Sequence, residues 1–133
     1  MNREIFRHFD KLACEANEYP EMMCSSRAIS LANKINSNSK IRKAKVIKML
    51  PRYPNDICKH LRPKKYEHLY QGKGLLWFRH YVVEYFDLIW DPAFGKPSNM
   101  NDYLSEAYNQ DRNEILVTDL KPDVDEDIIM HLI

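Results

Sequence analysis

The sequence predicts an α+β domain in which N-terminal helices pack on an antiparallel β-sheet. Apolar residues recur at helical spacing through the first 36 positions, whereas β-branched and aromatic residues dominate the segment from 79 to 93. Of the 133 residues, 44% are hydrophobic and 11% aromatic, so the chain can bury a sizeable core. This length predicts a single domain, residues 1–133.

Two helices are predicted at the N-terminus. From Ile5 to Ala16 the apolar residues recur every three or four positions, which places them on one face of an amphipathic helix. Pro20 discourages continuation of this helix. A second helix is predicted to begin at Cys24 and to end after Ile35, where the run "NSNSK" interrupts the pattern.

The strands follow these helices. "KAKVIKML" (43–50) predicts a strand with one solvated basic face. "LLWFRHYVVEYF" (75–86) and "LIWDPAF" (88–94) are rich in aromatic and β-branched residues and predict the two strands of a hairpin. "NEILVTDL" (113–120) predicts the last strand.

The remaining segments are less regular. "SNMNDYLSEAYN" (98–109) has helical spacing and predicts a helix capped by Ser98. Residues 51–74 hold three prolines and two glycines and are predicted to form a loop with a short helix. The acidic, then apolar tail (122–133) predicts a short docking helix.

The hairpin places two titratable groups close together. If the turn centres on Phe86 and Asp87, partners across the hairpin sum to 173, so Val82 faces Asp91. His80 and Asp91 then lie diagonally on one face, within hydrogen-bond reach. A three-residue loop would put them on opposite faces. The alternative to a functional pair is an exposed strand histidine and an aspartate that caps a turn.

Cys24 supplies a candidate third partner. A thiol at a helix N-terminus lies at the positive end of the helix dipole and near unpaired backbone N–H groups, which together stabilise a thiolate. The same N–H groups can hold an oxyanion. The next residues, Ser25 and Ser26, are small and leave room for a substrate carbonyl. The alternative is a cysteine that is buried as a small hydrophobe.

Three motifs carry a resemblance to a known fold: "CSSRAISLA" with Cys24, "HYVVEY" with His80 and "IWDPAFG" with Asp91. Their order, over about residues 20–118, resembles the papain-like cysteine peptidase fold. It is most similar to the compact bacterial papain-fold toxin and effector domains and to transglutaminase-like cores. The resemblance implies a catalytic cysteine that begins the central helix, a histidine that begins a strand, and an aspartate that ends the next strand.

The sequence departs from that pattern beside the nucleophile. Papain-like peptidases place a glutamine a few residues before the cysteine to complete the oxyanion hole, and this chain has none there. Asn17, or the backbone N–H groups of Cys24 and Ser25, are the expected substitutes. The usual flanking glycine and tryptophan are replaced by Met23 and Ser25, which argues against a peptidase of the cathepsin type.

The expected function is therefore cysteine-dependent hydrolysis or acyl transfer on a protein amide. Glutamine deamidation, transamidation and specific peptide cleavage all remain open. The reaction needs no cofactor, because the thiol, the imidazole and the carboxylate supply the chemistry. The expected partner is a protein substrate.

The charge distribution suggests a different class of function. Residues 37–80 carry twelve basic and two acidic residues, whereas residues 81–133 carry three basic and twelve acidic ones. The alternative is a non-catalytic binding protein on the same fold, whose basic 37–80 region holds an acidic partner. "KIRKAKVIK" lacks the aromatic interleaving of a single-strand binder, which argues against nucleic acid. The simplest explanation is that the two charged regions face each other or that each is solvated separately.

The cysteines and the N-terminus bear on location and metals. Three cysteines, an odd number, fit a reducing compartment, so we expect a cytoplasmic protein or an effector exported without a cleavable signal peptide. No apolar run approaches the roughly 18 residues of a membrane span. Cys58, His60 and His68 match no common zinc spacing, so no metal is expected. Cys14 is expected in the core.

Overall fold

The computed structural model shows an α+β architecture. It describes residues 3–18, 24–38, 43–52, 61–66 and 79–118. In these segments the helices are α1 (Arg3–Glu18), α2 (Cys24–Asn38) and α3 (Met100–Ala107). The strands are β1 (Lys45–Pro51), β2 (His80–Tyr85), β3 (Leu88–Trp90) and β4 (Ile115–Thr118). The predicted α+β class is confirmed, whereas one domain over residues 1–133 stays a prediction.

The four strands form one antiparallel sheet in the order β3-β2-β1-β4. Helices α1 and α2 cover one face, and their core includes Phe9 and Leu31, packed with Val83. Helix α3 covers the other face, where Leu104 packs in a second core with Val82. Successive residues of β2 therefore point into different cores, as the two-residue period of a strand requires.

The hairpin register agrees with the prediction. Val83 pairs with Trp90 and Tyr85 with Leu88, so partners sum to 173. The turn residues Phe86 and Asp87 both have positive φ, 52° and 60°. Two successive residues of this kind make the type I′ turn that matches the twist of a hairpin.

The strand β1 differs from its predicted form. It lies in the middle of the sheet, and its side chains are buried on both faces except for Lys45 and the half-buried Leu50. Lys48, expected on a solvated face, is only 9% exposed. Its Nζ lies 5.7 Å from the ring centroid of Tyr81, its partner across the strands. The lysine stem covers apolar surface there, and its charge faces an aromatic ring.

The cap of α3 is Asn99, not Ser98 as predicted. Oδ1 of Asn99 accepts a hydrogen bond from the backbone N–H of Asp102 at 2.9 Å. Ser98 instead forms an isolated antiparallel bridge, in which its backbone hydrogen bonds with that of Ile89 in β3. The chain therefore leaves the sheet one residue later than the sequence pattern indicates.

Cys14 is exposed, which makes its predicted core position wrong. The buried stripe of α1 passes through Leu12, Ala13 and Ala16. Each helical residue is turned by about 100° from the last, so Cys14 lies outside this stripe although its neighbour is buried.

Parts of the other predictions lie outside the described residues. These parts are residues 75–78 of the segment 75–86, the tail 122–133 and most of the loop 51–74. Within that loop, the described segment 61–66 contains a short 3-10 turn at Lys64–Tyr66. None of the helices in the described segments is long and apolar enough to cross a membrane.

Candidate functional site

The hairpin brings His80 and Asp91 together. His80 is the first residue of β2, and Asp91 directly follows β3. Nε2 of His80 lies 3.0 Å from Oδ1 of Asp91, so the predicted hydrogen bond is present. The two residues are only 3% and 2% exposed, so water weakens their attraction little.

In the described segments, three groups donate hydrogen bonds to the Asp91 carboxylate. Oδ1 accepts from His80 and from the backbone N–H of Ala93 at 2.8 Å, and Oδ2 accepts from the Tyr103 hydroxyl at 2.5 Å. Burial by itself raises the pKa of Asp91, but the charge of His80 and these hydrogen bonds hold the pKa below its ordinary value of 3.8. Asp91 is therefore a carboxylate at neutral pH.

His80 is the positive member of the pair. Burial by itself lowers the pKa of His80, but the charge and hydrogen bond of Asp91, followed by the hydrogen bond and charge of Cys24, raise the pKa to about 10. At neutral pH the ring is thus an imidazolium. Its proton donors then face an acceptor on each side.

Cys24 interacts with the same His80 ring. It is the first residue of α2, is half-buried, and hydrogen bonds with His80. Because Nε2 of His80 is bonded to Asp91, the nitrogen left for Cys24 is Nδ1. The three side chains border one pocket together with Ala16 and Arg27. The Cys24 thiol therefore lies beside both a helix N-terminus and the His80 ring.

The predicted oxyanion groups are placed near this pocket only in part. The backbone N–H groups of Cys24 and Ser25 belong to the first turn of α2, where a helix supplies no carbonyl acceptor of its own. The Ser25 side chain is fully buried, and among the residues that the structure describes its hydroxyl has no hydrogen-bond partner. Asn17 is in the last turn of α1, beside the pocket residue Ala16. Its side chain lies outside what the structure describes.

Tyr103 and Tyr108 belong to the site, and the sequence did not point to them. Their hydroxyl oxygens are 3.2 Å apart, and Tyr103 contacts Asp91. On the sequence, Tyr103 was one more apolar position of a predicted helix. The sequence does offer one signal: Tyr103 is a tyrosine at a core position of the helix, and a buried tyrosine hydroxyl needs a hydrogen-bond partner.

No metal site emerges from the described segments, where no three His, Cys, Asp or Glu side chains are grouped to hold an ion. Cys58, His60 and His68 lie outside those segments. His8, on α1, contacts the Ser30 hydroxyl through Nε2 at 3.1 Å.

Comparisons with protein-family models, with curated proteins and with solved structures give no match to this chain.

Proposed function

We propose that this protein is a cysteine-dependent hydrolase or acyltransferase that acts on protein amides through Cys24, His80 and Asp91. The observation that carries the proposal is the buried His80 ring, which is hydrogen-bonded to the Asp91 carboxylate and interacts with the thiol at the start of α2. A histidine held between these two groups is the arrangement by which cysteine enzymes activate a nucleophile.

The first half of the reaction forms a thioester. The Cys24 sulfur attacks the amide carbonyl carbon, and the carbonyl π electrons move onto the oxygen. N–H groups in the first turn of α2 stabilise this oxyanion. When the oxyanion collapses, the C–N bond breaks, and Nδ1 of His80 gives its proton to the departing ammonia or amine.

The second half restores the enzyme. His80, now neutral, accepts a proton from water or from an acceptor amine as that nucleophile attacks the thioester carbon. The C–S bond breaks, and Cys24 leaves as a thiolate beside the renewed imidazolium. Asp91 keeps its charge throughout, because it orients and stabilises the ring and takes up no proton itself.

The papain-like core is part of the same proposal. A cysteine begins a helix that packs on the sheet, a histidine begins a strand, and an aspartate follows the next strand. This order and these locations agree with the resemblance carried by "CSSRAISLA", "HYVVEY" and "IWDPAFG". The α+β class and antiparallel sheet are compatible with that core.

The test is selective alkylation of the folded protein at pH 6 with iodoacetamide, followed by mass spectrometry. We expect Cys24 to react at least about tenfold faster than Cys14, because Cys24 lies at a helix N-terminus beside an imidazole and Cys14 lies within a helix. Cys14 is a stringent comparator because it is exposed, whereas Cys24 is half-buried. His80→Gln should remove the difference.

Equal labelling of Cys24 and Cys14 in the wild-type protein contradicts the proposal. It favours the alternative class, a binding protein that holds an acidic partner through the basic 37–80 region. The type of reaction is decided separately, by incubation with a denatured glutamine-containing protein and a fluorescent primary amine. A gain of one mass unit, a new peptide end or an attached amine identifies deamidation, cleavage or transfer, and Cys24→Ala is the control.

A further inference from the structure

The hydroxyl of Tyr103 and the ring of His80 contact different oxygens of the Asp91 carboxylate. Tyr103 lies on α3, is fully buried, and donates to Oδ2 of Asp91 at 2.5 Å. Oδ1 is already shared between His80 and the backbone N–H of Ala93. Both carboxylate oxygens are thus held, which fixes the rotation of the carboxyl group about its last bond.

A second tyrosine continues this contact. The Tyr108 hydroxyl lies 3.2 Å from that of Tyr103 and 3.9 Å from the Met49 sulfur. An ionised carboxylate only accepts, so the single proton of Tyr103 points to Asp91 and its oxygen is left to accept from Tyr108. Met49 is the weaker and more distant acceptor for the Tyr108 proton. Both hydroxyl dipoles therefore point toward the carboxylate.

Both tyrosines remain donors throughout the working pH range. Burial, followed by the charge of Asp91, raises the pKa of Tyr103 and that of Tyr108 well above the ordinary value of 10.0. Neither hydroxyl loses its proton where Cys24 and His80 would act. The contact to Asp91 thus does not depend on pH over that range.

We propose that Tyr103 is a positioning residue of the site, which holds Asp91 as an oriented carboxylate and so directs Nδ1 of His80 to Cys24. Tyr108 supports this role by donating a hydrogen bond to the Tyr103 hydroxyl. This inference rests on the function proposed above for Cys24. A buried ion pair can neutralise itself if the proton moves from the imidazolium to the carboxylate, and donors on the carboxylate oppose this transfer.

The role of the hydroxyl can be separated from that of the ring. The ring of Tyr103 makes edge contacts with Phe94 and Tyr108, at centroid distances of 6.0 and 5.8 Å. Tyr103→Phe keeps these contacts and removes only the oxygen. Tyr85→Phe is the matched control, because Tyr85 is also buried but belongs to the core on the other face of the sheet.

The experiment follows the Asp91 carboxyl carbon by NMR during an acid titration and, in the same variants, the rate of Cys24 alkylation at pH 7. We expect Tyr103→Phe to raise the Asp91 titration midpoint by about one pH unit, because a donor to the charged form is lost. Cys24 alkylation should slow several-fold. Tyr108→Phe should shift both readings in the same direction by a smaller amount, and Tyr85→Phe should shift neither.

An unchanged Asp91 midpoint in Tyr103→Phe, or an equal shift in Tyr85→Phe, overturns the inference. A shifted midpoint with unchanged Cys24 alkylation also overturns it, because Tyr103 would then stabilise the carboxylate without affecting the thiol. If Cys24 of the wild-type protein reacts no faster than Cys14, the proposed function fails and the positioning role fails with it. Should Tyr103→Phe not fold, Tyr108→Phe decides by the same two readings.

Discussion

Nε2 of His80 lies 3.0 Å from Oδ1 of Asp91 across a hairpin whose register sets this distance. A slip of one residue in that register would place the two side chains on opposite faces of the sheet. The turn at Phe86 and Asp87 is therefore part of what builds the site, although both residues are exposed and distant from it along the strands.

Replacement of Asp91 by asparagine tests the electrostatic part of the site. The amide oxygen accepts hydrogen bonds, but the side chain carries no charge to stabilise the imidazolium and offers one oxygen for three donors. We expect Cys24 alkylation at pH 6 to fall about tenfold or more. One unpaired buried donor should also lower the free energy of unfolding by about 1 to 3 kcal/mol.

Asp87→Asn is the control for this change, because it removes an exposed carboxylate from the same hairpin. Alkylation rates and urea unfolding are measured for both variants. Fast alkylation of Cys24 in a folded Asp91→Asn protein would reduce the site to Cys24 and His80.

The His80 charge predicts how stability depends on pH. The pKa of His80 is about 10 in the folded protein against an ordinary value of 6.5, so its contribution is complete below pH 6.5 and is lost as the pH rises toward 10. We expect the free energy of unfolding to fall by several kcal/mol over this window, because each unit of pKa difference corresponds to about 1.4 kcal/mol. Urea unfolding at successive pH values measures it.

Two variants separate His80 from other titrating groups. Cys24→Ala keeps the Asp91 partner of His80 and should keep most of the slope, whereas His80→Gln should flatten it. The low-pH side has the opposite sign, since the lowered pKa of Asp91 gives stability that is lost as the pH falls through that pKa. An equal slope in His80→Gln and wild type would disprove the assignment.

The cap of α3 matters to the site because this helix carries Tyr103. Asn99→Ala removes the side chain that accepts the Asp102 N–H, and we expect it to lower the free energy of unfolding by about 1 kcal/mol. Ser98→Ala should have little effect, because the buried Ser98 hydroxyl has no hydrogen-bond partner in the described part of the chain. Thermal unfolding compares the two variants. A larger loss of stability in Ser98→Ala than in Asn99→Ala would show that Ser98 is the capping residue.

The hairpin turn gives a prediction in the stabilising direction. Asp87 has a φ of 60°, a conformation that glycine adopts without strain, so Asp87→Gly should raise the free energy of unfolding by about 0.5 kcal/mol. Asp111→Gly is the contrast, because Asp111 has a φ of −67° and the change only adds freedom to the unfolded chain. Calorimetry should show shifts of opposite sign for the two variants.

The sequence allowed the hairpin and the His80–Asp91 contact to be predicted because both follow from local rules. A two-residue turn and the alternation of side chains along a strand determine which residues meet. The start of α2 at Cys24 followed from helical spacing in the same way. These features depend on neighbours in the chain.

The features that sequence reasoning missed depend on contacts between distant segments. Tyr103 reaches Asp91 only because α3 packs on one particular face of the sheet. Lys48 is covered because β1 is central, and the strand order that makes it central is not encoded in the pattern of β1 itself. Cys14 was misplaced because a helix that packs on one side leaves a residue exposed directly beside a buried one.

Cys24 and Asp91 come from different layers of the molecule. Cys24 packs with the core beneath α1 and α2, whereas Asp91 contacts Tyr103 in the layer of α3, and His80 meets both at the end of β2. A chain in which only one layer has docked lacks either the approach of Cys24 to His80 or the contact of Tyr103 with Asp91. Partly folded molecules would then be chemically silent, and the emergence of thiol reactivity during refolding would mark the final assembly step.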